Sequence, residues 1–142
     1  MCVPCSAKEG TGIDHLLDMI LLLSEMKEFK AHPTRPGVGT VVESHLDAGQ
    51  GVLATVLVNA GEFQKADAIY CGNSSGKIRT MRDYKGKNLA KAGPSTPIQI
   101  TGLSGIVEGG DVVQVVKDAE TARSKAQEYS LASASKSVKN FE

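Results

Sequence analysis

Cys2-Val3-Pro4-Cys5 has the spacing that redox disulfides and zinc sites share. A zinc centre needs two more ligands, but Cys71 is isolated and His15, His32 and His45 form no pair. The two thiols also lack a strand and loop before them, so two small residues flanking a strand is the better reading. A thiol or redox protein using Cys2 and Cys5 stands as the rival from the enzyme class. Gly102-Leu103-Ser104-Gly105 lacks the GxSxG spacing of a nucleophile elbow and reads as a turn between strands. A phosphate-cradling P-loop is missing: Gly76-Lys77 runs into Ile78, Gly86-Lys87 into Asn88, and neither has the upstream glycine. Asp83-Tyr84-Lys85-Gly86 matches a DxxG switch pattern, but its charged flanks read as a solvated hairpin loop.

Charge is more informative. Lys77, Arg79, Arg82, Lys85, Lys87 and Lys91 face Asp83 alone, in a chain whose 16 Lys+Arg balance 16 Asp+Glu. On a strand, Lys77 and Arg79 project to one face while Ile78 and Thr80 project to the other. Arg82, Lys85 and Lys87 then crowd the loop that follows. One reading is a solvated hairpin whose lysines guard an exposed strand edge. The other is phosphate binding by a local basic patch. Overall neutrality excludes only a uniformly basic nucleic-acid binder.

These residues must be carried by elements, and the 142-residue chain divides into three textures. In residues 1–31, Thr11 is placed to cap a helix whose third residue is Asp14. Ile13, Leu16, Leu17 and Ile20, and again Met19, Leu22, Leu23 and Met26, then recur at helical spacing on two overlapping faces, over Ile13 to about Lys27. The apolar stretch is far short of the ~18 residues of a membrane span. With no secretory signal, the three Cys read as reduced thiols of a cytoplasmic protein. Residues 37–118 read as short strands between glycine-bearing turns: Val38–Leu46, Val52–Asn59, Ala68–Cys71, Lys77–Met81, Ile98–Leu103 and Val112–Val116. That pattern predicts a mainly β, small antiparallel barrel or sandwich. Aromatics make up 4%, so the core is aliphatic: Val42, Ala54, Val56, Val58, Ile69, Ile78, Ile98, Ile100, Val113 and Val115. In residues 119–142, Ala119, Ala122, Ala126 and Tyr129 trace a weak helical stripe, and the Ser/Ala/Lys-rich end after Leu131 reads as a helix fraying to disorder.

Longer motifs resemble a known family. Ser6-Ala7-Lys8, with Gly10, Gly12 and Ile13 leading into a Leu-rich helix, is similar to the last guanine-recognition motif and final helix of a translational GTPase. Gly51-Val52-Leu53-Ala54-Thr55-Val56-Leu57-Val58-Asn59-Ala60-Gly61 resembles the start of the β-barrel that follows the GTPase domain in those factors. The run from Ala92 to Gly105 (AGPSTPIQITGLSG), with Gly110-Asp111 after it, resembles the second domain of the bacterial translation initiation factor 2 family. Glu28 to Pro36 (EFKAHPTRP) resembles that family's linker. The resemblance runs from Val3 to about Arg123. It departs where the family carries Gly before Asp in the first Gly-Asp turn of the barrel. Here Ala66 precedes Asp67, implying a turn of a different type in an unchanged barrel.

The resemblance implies a translation-factor-type β-barrel flanked by an N-terminal and a C-terminal helix. It implies a fragment: 1–31 as the GTPase-domain remnant with its last strand, 32–37 as linker, 38–118 as barrel, and 119–142 as the start of a helical connector. The P-loop, switches and Asn-Lys-x-Asp motif of the family are absent from these residues, so the chain is expected to be no enzyme, with no cofactor and no metal. GTP and magnesium belong to the full-length family. Ser6, Ala7 and Lys8 would touch guanine in an intact factor and are expected to be inactive alone. The implied partners are small-subunit ribosomal RNA and the initiator tRNA complex, with no membrane. Lys77, Arg79, Arg82, Lys85 and Lys87 are the candidate phosphate contacts. The barrel of an elongation factor is the alternative from the same class. The two-faced Ile13–Lys27 helix is expected to dock on its own barrel or to form a homodimer.

Overall fold

The computed structural model describes residues 2–32 and 34–138. It forms two units, Met1–Lys30 and Ala31–Glu142. In the first, α1 spans Ile13–Lys27. Thr11 does not cap it: the N-cap is Gly12, left-handed at φ 75°, with no side-chain bond. The Thr11 carbonyl instead accepts the Ser6 N–H at 2.9 Å, which ties Thr11 into the loop before the helix. Residues 2–6, expected to hold a strand, carry no ladder pairing. No residue of α1 is buried; Leu17, Ile20, Leu21, Leu22, Leu23 and Met26 are all exposed.

The second unit is built on β1 (Val38–Asp47), β2 (Gly51–Ala60), β3 (Phe63–Gln64), β4 (Ala68–Cys71), β5 (Ser74–Arg82), β6 (Lys91–Ala92), β7 (Pro97–Leu103) and β8 (Val112–Val116). Six strands close into an antiparallel barrel in the order β1-β2-β7-β5-β4-β8, with β8 pairing back onto β1. β3 and β6, two residues each, pair beside it. Closure removes the exposed sheet edges that an open sheet of this size would present. The core is aliphatic as expected, with Ala54, Val56, Val58, Ile69, Ile78, Ile98, Ile100 and Val113 all buried and Val115 half-buried against them. Phe63 and Met81 join them fully buried.

Val42 is the exception, 60% exposed. Val41 pairs with Val56 and Glu43 with Thr55, so Val42 is the extra residue of a β-bulge. The bulge advances the side-chain phase by one, and Val41 enters the core instead. The turn before β8 holds this kink: Val41 N–H donates to the Asp111 carbonyl and Gly110 N–H to the Val41 carbonyl, both at 2.8 Å.

Helix α2 (Ala119–Val138) packs on β4, β5 and β8. The Asp118 carboxylate caps it by accepting the Thr121 N–H at 2.7 Å. Of the Ala119, Ala122, Ala126, Tyr129 stripe, Ala122 and Ala126 are buried and the two ends are exposed. The helix does not fray after Leu131 as expected but continues to Val138; the rest of that expectation falls on residues 139–142, which lie outside the described residues. Among the described residues no helix is long and apolar enough to cross a membrane.

Candidate nucleic-acid interface

The basic residues lie along β5 and the hairpin beyond it, and two local features set their direction. The first is a wide bulge. Gly76 pairs with Leu103 and Thr80 with Thr101, so Lys77, Ile78 and Arg79 stand opposite Gly102 alone. There β5 turns from β7 to the preceding turn: Ile78 N–H donates to the Asp67 carbonyl and Ala66 N–H to the Ile78 carbonyl, both at 3.0 Å. Ile78 is thereby driven into the core while Lys77 and Arg79 face solvent. The close crossing demands glycine on both strands. A Cβ at Gly76 would sit 2.0 Å from the Gly102 carbonyl oxygen, and one at Gly102 would sit 2.0 Å from that of Lys77. Beyond the bulge Met81 is buried, and the Thr80 and Thr101 hydroxyls meet at 2.8 Å, so Thr80 is half-buried.

The second feature is the hairpin tip. The Asp83 carboxylate accepts the Lys85 N–H at 2.8 Å and the Lys87 N–H at 2.9 Å, and Gly86 N–H closes onto the Asp83 carbonyl at 2.9 Å. The DxxG segment is therefore a self-bonded turn. It spends its one acid on backbone and leaves Lys85 and Lys87 exposed. Tyr84, 78% exposed, lies under the Lys85 ammonium at 5.4 Å from ring centre. Arg82 is half-buried and donates through Nε to Asn88 Oδ1 at 3.4 Å. Lys91 is set apart by an ion pair with Glu62 at 3.4 Å.

The five candidates thus fall into two clusters, Lys77 with Arg79 and Lys85 with Lys87, with Arg82 between. At about 3.3 Å per residue, at most roughly 17 Å of strand separates Lys77 from Arg82. Sequence reasoning passed over two residues. Tyr84 is an exposed aromatic inside a basic run, a signal visible in the sequence. Arg123 of α2 lines a cavity of about 320 Å³ together with Lys77 and Arg79, and only the packing of α2 reveals it. Ser6, Ala7 and Lys8 form the loop before α1, where the Glu9 N–H reaches Ser6 Oγ at 3.4 Å. Cys2 and Cys5 are exposed; Cys71 is buried in β4, and burial, then the Asp111 charge, pushes its thiol up to about 12.

A barrel of this order, closed by β8 on β1, has known relatives. Residues 36–116 match the family model described as elongation factor G domain 2. The chain belongs to that family. The elongation factor G domain 2 family places the barrel among translation factors, and curated relatives narrow the likeness. The chain is 50% identical over 125 residues to Translation initiation factor IF-2 of Finegoldia magna, covering 88% of this chain and 16% of that protein. It is 48% identical over 131 residues to Translation initiation factor IF-2 of Desulforamulus reducens, covering 92% of this chain and 13% of that protein. The chain therefore spans about a sixth or less of the length of these relatives. Among solved structures, GDP-bound aIF5B from Aeropyrum pernix shares the fold with a TM-score of 0.74 at 21% identity, over 90% of this chain and 24% of that one. Apo translation elongation factor SelB from Methanococcus maripaludis follows with a TM-score of 0.63 at 20% identity, over 78% of this chain and 25% of that one. The matched initiation factors favour the initiation-factor reading over the elongation-factor and thiol alternatives.

Proposed function

We propose that the chain is the barrel module of a translation initiation factor GTPase. In the full-length factor it docks on RNA of the small ribosomal subunit and supports initiator tRNA binding and subunit joining. The observation that carries this reading is the 50% identity to an IF-2 across 125 residues, well beyond the barrel alone. Lys77, Arg79, Arg82, Lys85 and Lys87 are the phosphate contacts, and Tyr84 offers a stacking face beside two lysines. The module has no catalysis of its own and acts in the cytoplasm. Ser6, Ala7 and Lys8 are a guanine loop without phosphate or magnesium partners. Most GTP binding energy goes through phosphates held by backbone amides and cations, so this chain is expected to have no measurable GTP affinity. Co-sedimentation tests the docking: the chain travels with isolated small subunits and not with large ones. Equal partition between the two would defeat the proposal. Calorimetry with millimolar GTP and GDP checks the second point, and micromolar binding would refute it.

The exposed apolar faces of α1 support a further part of this reading, a homodimer through Ile13–Lys27. Light scattering after size exclusion is expected to show concentration-dependent association that Leu16→Glu with Ile20→Glu abolishes. A strictly monomeric chain would contradict it.

A further inference from the structure

The cavity beside the β5 bulge is lined by Lys77 and Arg79 from β5, Ser75 and Ser104, and Ala119 and Arg123 from the first turns of α2. Three cationic residues from two elements line it, and no carboxylate does. Among the described residues the ion pairs are Lys30–Glu28, Lys91–Glu62 and Lys125–Glu128, and none uses these three cations. The nearest acids along the chain do not offset them. Asp118 spends its carboxylate on the helix cap, and Glu120 is not among the residues that line the cavity. Like charges gathered at one concavity repel unless an anion joins them, and a tetrahedral oxyanion is the ligand that guanidinium and ammonium groups share.

Among the described residues, α2 buries little side-chain area against the barrel. Its described buried side chains are Ala122 and Ala126, which contribute small apolar area, and the remainder of its described surface is mostly exposed. A helix whose described side chains bury only two alanines, with Tyr129 lying beside Gly72, lies toward the low-stability end of a fold. An anion touching both β5 and α2 therefore stabilises the docked helix over the undocked one, because undocking removes Arg123 from the cluster.

We propose that Lys77, Arg79 and Arg123 form a seat for one phosphate group that clamps α2 onto the barrel, so that phosphate occupancy sets whether this helix is docked or free. The inference rests on the RNA-docking reading for the source of the phosphate, and it adds α2 as the element that responds. Amide NMR on the whole chain, titrated with inorganic phosphate and separately with a short oligouridylate, tests it. Resonances of residues 75–79, 102–104 and 119–123 move together, and hydrogen exchange of α2 amides slows about tenfold at ten times Kd. Tighter binding of the oligouridylate identifies a phosphodiester as the source; equal binding identifies free phosphate. Arg123→Gln keeps a good helix former at an exposed position and removes the α2 response. Shifts confined to the 83–87 hairpin, or α2 exchange unchanged by either probe, overturn the clamp while leaving RNA docking intact. Conversely, a clamp that closes on phosphate in a chain that ignores the small subunit sinks the docking reading alone.

Discussion

Ala66 occupies a backbone conformation, φ 77°, that ordinarily costs an L-residue about 1–2 kcal/mol. It is the third residue of a turn in which Asp67 N–H donates to the Gln64 carbonyl at 3.2 Å, while the Asp67 carboxylate accepts Gln64 N–H at 2.8 Å. A single positive φ at that position is the signature of a type II turn, which favours glycine. The alanine does not change the turn to one that suits it; the turn keeps the glycine-like shape at alanine's expense. Ala66→Gly is expected to raise stability by about 1 kcal/mol, less the larger unfolded-state entropy of glycine. Urea unfolding measures it, and a loss of stability would show the strain argument wrong. The β1 bulge separates two neighbouring valines in the same assay: Val41→Ala is expected to cost ~2–3 kcal/mol through lost burial and a cavity, and Val42→Ala about nothing. Alternation around Thr40 pointed to Val42. The bulge that reverses it is set by backbone bonds to Gly110 and Asp111, nearly seventy residues on, and no local pattern encodes that. Cys71 gives a third contrast. Burial raises its thiol from 9.0 to about 12, so above 9.0 the unfolded chain loses a proton that the folded one keeps. Stability from this group is complete below pH 9.0 and declines between there and about 12. A thiol reagent near neutral pH is expected to label Cys2 and Cys5 and to spare Cys71 until the chain unfolds.

At the scale of elements, the six barrel strands were legible because each pairs β-branched runs with glycine-bearing turns. The two-residue β3 and β6 were not: they carry too few residues to show a period. α1 was legible from its spacing, but its start was not. Gly12 occupies the cap position because a Cβ there would meet the Pro4 carbonyl oxygen at 2.4 Å, a contact made by the incoming chain. α2 depends on Asp118, whose carboxyl is held below the usual carboxylate range by the Thr121 N–H and then its hydroxyl. A lowered carboxyl stabilises the fold above its ordinary value of 3.8 and ceases to do so as pH falls through the folded value. Asp118→Ala is therefore expected to speed α2 hydrogen exchange at neutral pH and to have no further effect in acid. Equal exchange in the two chains at neutral pH would remove the cap from the account.

For the whole molecule, the charge run at Lys77–Lys91 showed where cations are but not how they divide. The β5 bulge sends Lys77 and Arg79 toward α2, whereas the Asp83 turn presents Lys85, Lys87 and Tyr84 at a separate tip. Arg123 was invisible beside them because it is some forty residues further along the chain. Docking of this barrel on ribosomal RNA through those cations, as proposed, would make binding depend steeply on salt. Each phosphate neutralised contributes about 0.7–0.9 to the slope of log affinity against log salt. The most direct measurement is that slope for the chain binding isolated small subunits, taken with and without Lys85→Ala and Lys87→Ala together. Affinity is expected to fall steeply with salt, with a slope reduced by about 1.4–1.8 in the double variant. A slope unchanged by the two substitutions would contradict it.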